Sequence, residues 1–215
     1  MELPKQTTQD YVIKVSKGIL GGIPFAGALL GELLEMFIVP QQQEKMEEWF
    51  HHVEQTLEEV LEKGNKSKEE IFNNENFTSI FQKTSRVYAN NVEAYKKPLL
   101  QSYLKASITK PIPLDKKYIF LDIIDKLTES QLLILKEIYE NSKSDDFKYQ
   151  TALEETLSDK FTGGDKEYLN LLVKGLQDYH LLNYGGTEVM IDNAKQWYMV
   201  PSKIANEFIE FLASD

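Results

Sequence analysis

The sequence has no cysteine, one arginine and three histidines. Without cysteine, the chain has no disulfide framework, no thiolate zinc site and no cysteine nucleophile. His51 and His52 each follow a glutamate by four residues, but a catalytic zinc site needs a third protein ligand and the sequence has no HExxH pattern. The remaining histidine, His180, lies far along the chain. We therefore expect no metal and no cofactor.

The usual catalytic signatures are also missing. The glycine-rich stretch Gly18–Gly22 lacks both the Lys-Ser/Thr pair and the clear preceding strand of a phosphate-binding loop. No GxSxG nucleophile elbow occurs, and no serine has a histidine near it in the sequence. We expect no catalytic residue, so the sequence favours a protein that is not an enzyme.

No apolar run reaches the 20 or so residues that a plain transmembrane span needs. The uncharged segment Gly18–Gly31 has 14 residues, and extending it takes in Glu32 and Glu35, which cost about 2.5–3.5 kcal/mol each if ionised near a helix centre. We expect a buried helix that packs against the helix of Trp49. The alternative is a membrane-perturbing segment, Gly18–Val39, that inserts on activation, because small residues at this spacing let helices approach closely in lipid. The candidate packing or membrane residues are Gly18, Gly22, Phe25, Gly27 and Gly31.

The first residues, MELPKQTTQDYVIK, lack the basic start and the continuous apolar run of a secretory signal. The absence of cysteine also fits a reducing compartment. We therefore expect a cytoplasmic protein, with the inner face of the membrane as the alternative location.

Negative charge is concentrated in the second half of the chain. The net charge is −10; residues 1–119 hold 15 basic against 16 acidic residues, whereas residues 120–215 hold 9 against 18. Phosphate contacts dominate nucleic-acid affinity, so DNA repels a half with a net charge of −9. The single arginine, Arg86, agrees with this, because arginine is the usual reader of phosphate and guanine. We therefore expect no nucleic-acid partner.

A basic stretch runs from Lys83 to Lys117, where eight basic residues stand against only two acidic ones and tyrosines are interleaved. Such a surface could bind an anionic membrane, RNA or the acidic half of the same chain. Most charge runs are simply solvated helix faces. The candidate basic surface consists of Lys83, Arg86, Lys96, Lys97 and Lys105.

Apolar residues recur at helical spacing through most of the chain, which predicts a mainly α fold. The stripe from Met46 to Leu61 predicts an amphipathic helix over 41–63 that Gly64 ends, and Ser67–Glu70 is a capping box for the next helix. Two prolines within Lys110–Pro113 interrupt the pattern. We therefore place an N-terminal helical bundle at residues 1–110 and a second domain at residues 115–215.

The second domain has the pattern of a winged-helix module. Caps at Thr128–Gln131 and Gly163–Asp165 separate helices, and the β-rich runs Glu188–Ile191 and Trp197–Val200 predict a hairpin before a last amphipathic helix. Three helices, a hairpin and a closing helix together predict a winged-helix-like domain. Its third helix has few of the side chains that read DNA, which favours protein contact or internal packing.

Two segments carry a resemblance to a known family. They are Ser85–Ile108 and Phe120–Leu135, in which a helical region precedes a helix that opens near Leu-Thr-Glu-Ser-Gln-Leu. Together they cover the middle third of the chain, and their pattern is mostly apolar spacing. The chain here resembles the abortive-infection alpha family of bacterial proteins. This resemblance implies a link to anti-phage defence, as an effector or accessory subunit, and it implies no catalytic residue.

The absent site chemistry and the acidic second half lead to one interpretation. We predict a non-enzymatic protein-interaction, adaptor or accessory protein, with a protein partner or a second copy as its ligand. A membrane-perturbing effector that uses Gly18–Val39 and a nucleic-acid-binding winged-helix regulator are the alternatives.

Overall fold

The computed structural model describes residues 40–64, 67, 70–71, 74–90, 94–144, 150–191 and 194–213. These residues divide into two compact units, the first ending at Asp125 and the second beginning at Lys126. The division therefore falls about one helix after Lys110–Pro113, the boundary expected from the sequence.

Four helices form the described part of the first unit. They are α1 (Pro40–Lys63), α2 (Glu75–Asn90), α3 (Lys96–Thr109) and α4 (Leu114–Lys126). The prediction of a helix over 41–63 is confirmed, since α1 begins one residue earlier and ends at the residue before Gly64. The predicted capping box is also present, at the helical residues Glu70 and Ile71: the Ser67 backbone N–H donates to Glu70, and the Glu70 N–H donates to Ser67 Oγ.

The core of the first unit lies where α1, α2 and α3 pack against one another. The apolar stripe of α1 faces inward because its members repeat at three and four residues. Its members from Met46 to Val60 are buried, and Leu61 at its end is half-buried. Trp49 is fully buried, stacks on Tyr88 with ring centroids 4.6 Å apart, and donates its indole N–H to Ser85 Oγ at 2.8 Å. This cluster ties α1 to α2.

Proline sets the limits of α3 and α4. Pro98 is the third residue of α3, where its missing N–H costs no intrahelical hydrogen bond, and residues 110–113 are not helical. Side-chain hydrogen bonds hold α4 against the other helices. Ser79 Oγ and Tyr118 Oη lie 2.7 Å apart, and the buried Tyr103 hydroxyl donates to the Lys117 carbonyl at 2.8 Å.

The second unit consists of three helices, a hairpin and a closing helix. The elements are α5 (Glu129–Lys143), α6 (Gln150–Thr162), α7 (Lys166–Asp178), β1 (Leu182–Ile191), β2 (Ala194–Pro201) and α8 (Lys203–Leu212). The strands pair antiparallel, with Leu182 opposite Pro201 and Ile191 opposite Ala194, and the register shifts between Gly185 and Val189. The described chain is therefore mainly helical with one small two-stranded antiparallel sheet, as predicted.

The predicted helix signals in the second unit are confirmed by hydrogen bonds. Thr128 and Gln131 form a reciprocal capping box at the start of α5. Gly163 and Gly164 end α6 with φ values of 63° and 90°, a region that glycine enters without steric cost. Asp165 then caps α7 by accepting the Tyr168 N–H at 2.9 Å.

Removing the α5 cap gives a direct stability prediction. We expect Thr128→Ala to lower the free energy of unfolding by about 1 kcal/mol, because the backbone N–H of Gln131 loses its acceptor. Urea titration followed by circular dichroism measures the change. Ser130→Ala, in the first turn of the same helix, removes no capping bond and serves as the control. Equal losses for the two variants would contradict the cap.

Within the described ranges, no helix combines the length and the apolar character needed to cross a bilayer. The segment Gly18–Val39, including the candidate residues from Gly18 to Gly31, lies outside the described residues. Its predicted packing against the Trp49 helix, and its alternative role at a membrane, therefore stay predictions.

Candidate functional site

The five residues of the candidate basic surface have different environments. All lie on α2 or α3 of the first unit, but only Lys83 and Arg86 are exposed, while Lys97 and Lys105 are half-buried. Lys96 is only 4% exposed. The structure therefore brings the five onto neighbouring helices without placing all of them on one open face.

Two of these lysines connect α3 to α1. Lys97 Nζ lies 2.5 Å from Glu48 Oε2, and Lys105 Nζ lies 2.7 Å from Glu59 Oε2. The hydrogen bond from Lys97 lowers the pKa of Glu48, and that from Lys105 lowers the pKa of Glu59. Each lysine is thus paired with one glutamate of α1, and this pairing weakens the attraction of either lysine for an anion in solution.

Two more of the five cations have contacts inside the first unit. Lys96 Nζ donates to the backbone carbonyl of Asp125 at 2.8 Å, near the end of α4. A cation at this point is stabilised because helix C-terminal carbonyls carry partial negative charge. Lys83 Nζ lies 3.5 Å from the centroid of the Tyr118 ring, at cation–π distance. These contacts join α3 and α2 to α4.

The lowered glutamate pKa values predict a pH dependence. The pKa values of Glu48 and Glu59 both lie below the ordinary value of 4.5. The two ion pairs therefore stabilise the fold above pH 4.5, and this contribution is lost as the pH falls through the lowered pKa values. We expect the double variant Lys97→Met/Lys105→Met to lose less stability than wild type between pH 7 and pH 3. The difference should be about 0.2–1 kcal/mol for each partly exposed pair.

Denaturant midpoints measured across this pH range test the prediction. Lys136→Met is the matched control, because its partner Glu140 lies 3.7 Å away on the same helix of the second unit. If the double variant keeps the full pH dependence of wild type, the ion pairs do not stabilise the first unit.

The adjacent histidines show no metal-binding arrangement. His51 Nε2 lies 3.1 Å from Gln55 Nε2, and His52 Nε2 lies 3.7 Å from a Glu48 oxygen that belongs to the carboxylate paired with Lys97. Among the described residues, no group of three or more His, Asp and Glu side chains converges on a possible ion position.

An apolar patch is exposed on α7 of the second unit. Leu171 is 66% exposed and Tyr168 is 45% exposed, and residues three apart on a helix are neighbours on its surface. We call these two residues the α7 face. Elsewhere in the same unit, Leu133 and Tyr179 are about 40% exposed. A single exposed leucine is ordinary, whereas this leucine and tyrosine form one continuous exposed apolar patch.

The packing of α7 explains why Leu171 points outward. Leu169, Leu172 and Leu176 repeat at three and four residues, and all three are buried. Leu171 falls outside this repeat and therefore lies on the outer side of the helix. Gln131 of α5 donates to the Leu172 carbonyl at 3.3 Å, and its side chain lies next to Gly175. The rotation of α7 is therefore set by the burial of its leucines against the neighbouring helices.

The charged residues around the α7 face are of both signs: Lys166 and Lys174 stand against Asp165, Glu167 and Asp178. Glu167 is exposed beside Tyr168, and Lys174 lies 3.4 Å from Asp178 one turn along the helix. Asn170 is the one exposed amide within the described side chains of α7. The face therefore offers apolar area, with neighbours that carry a small excess of acidic charge and few of the amide and arginine side chains that read base edges.

A cleft of about 370 Å³ lies in the first unit, between the start of α2 and the end of α3. Its apolar lining comes from Ile71, Phe77, Ile80, Ile108 and Pro111, and its polar lining from Glu70, Asn74, Asn76, Ser107, Thr109, Lys110 and Lys117. The sequence drew attention to Lys110 and Lys117 only as members of the basic stretch. No sequence pattern indicated the cleft, because its lining combines four separate segments.

No protein-family model, curated protein or solved structure matches this chain.

Proposed function

We propose that this chain is a non-enzymatic adaptor or accessory protein that binds another protein through the α7 face of a winged-helix-like second unit. The observation that carries the proposal is the exposure of Leu171 and Tyr168 on a helix whose other large apolar residues are buried. Exposed apolar clusters rimmed by polar residues are typical of protein-interaction sites.

The order of elements supports the winged-helix-like interpretation. Three helices precede a two-stranded hairpin, and a further helix follows it. In helix-turn-helix and winged modules, the last of the core helices is the recognition element. Here that helix is α7. The same geometric position that presents polar side chains to DNA in a regulator would present Leu171 and Tyr168 to a protein.

Charge indicates what kind of partner fits. Residues 126–215 hold nine lysines against sixteen Asp and Glu residues, a net charge of −7. DNA and a second copy of this unit are both negatively charged, so association with either is opposed by repulsion. A partner with an apolar contact residue and basic side chains around it is complementary to the α7 face and to its acidic neighbours.

Affinity capture with quantitative mass spectrometry tests the proposal. Tagged wild-type protein, Leu171→Glu and Asn170→Glu are expressed at equal levels in the native host. We expect at least one protein to be recovered with wild type and with Asn170→Glu, and to be lost with Leu171→Glu. Asn170→Glu is the matched control, because it adds the same charge to an exposed position of the same helix. Recovery of the same proteins with all three variants would contradict binding through Leu171.

The biological setting of the proposal comes from the resemblance to the abortive-infection alpha family. We place the protein in bacterial anti-phage defence as an accessory subunit. A phage-plating assay with wild type and Leu171→Glu tests this setting separately. Protection that depends on Leu171 would support it, whereas equal plating with and without the protein, across phages that infect the native host, would argue against a defence role.

A further inference from the structure

We draw no further inference here: the strongest candidate, the cleft of the first unit between the start of α2 and the end of α3, carries nothing, because its two lysines, Lys110 and Lys117, already have interactions within the chain and nothing in the structure shows what fills it.

Discussion

Trp49→Ala is expected to lower the free energy of unfolding by about 3–5 kcal/mol, the range for removing a large aromatic side chain from a packed core. The indole is fully buried, stacks on Tyr88 and donates a hydrogen bond to Ser85. Alanine therefore leaves a cavity between α1 and α2 and removes the donor to a buried hydroxyl. Urea titration of the full chain, followed by far-ultraviolet circular dichroism, measures the loss.

Two further variants show whether the effect comes from this cluster. Trp49→Phe keeps a ring against Tyr88 and loses the indole N–H, so it should cost less than half as much as Trp49→Ala. Ile119→Ala removes an apolar side chain that is 49% exposed, and its effect should stay within about 0.5 kcal/mol. If Trp49→Ala costs no more than Ile119→Ala, then α1 and α2 are not held together by this core.

The second large effect concerns the partner. Leu171→Glu is expected to raise the dissociation constant for the captured protein by a factor of 30 or more, corresponding to a hot-spot loss of about 2 kcal/mol or more. A carboxylate at the centre of an apolar contact would be desolvated without a partner. Isothermal titration calorimetry with the purified partner measures the change, and wild-type and variant circular dichroism spectra should coincide.

Salt and neighbouring substitutions refine this prediction. If basic side chains of the partner surround the contact, raising the salt concentration should slow association more than it speeds dissociation. Tyr168→Ala should weaken binding by a smaller factor than Leu171→Glu, because it removes contact area without adding a charge. An affinity that responds to neither substitution would place the contact away from α7.

The sequence predicted the helices well where local signals were sufficient. The apolar stripe from Met46 to Leu61, together with Gly64, predicted both ends of α1 to within one residue. The capping residues Thr128 and Asp165 predicted the starts of α5 and α7. Such signals are local, because a cap is satisfied by backbone groups two or three residues away. The hairpin was also predicted, although its strands, Leu182–Ile191 and Ala194–Pro201, are longer than the β-rich runs.

The environments of individual side chains were harder to predict, for a physical reason. Lys96 belongs to a basic run that is typical of a solvated surface, yet it is buried. Its partner is the Asp125 carbonyl, 29 residues away, which accepts its hydrogen bond. Leu171 has the same chemistry as Leu172, and only the rotation of α7 in its packing against the neighbouring helices separates an exposed leucine from a buried one. Contacts between distant segments decide both cases.

The candidate sites depend even more on distant contacts. The cleft joins residues near positions 70, 77, 107 and 117, and nothing in the spacing of these residues identifies them as one site. Composition, in contrast, predicted the acidic character of the second unit directly, because net charge does not depend on the fold.

Photo-crosslinking in living cells measures the proposed contact at the level of one residue. A benzophenone amino acid replaces Leu171 in one variant and Glu155, an exposed residue of α6, in another. We predict that illumination produces a discrete crosslinked protein from position 171 and none of the same mass from position 155. The same crosslinked product from both positions, or products from neither, would contradict a protein-binding role for the α7 face.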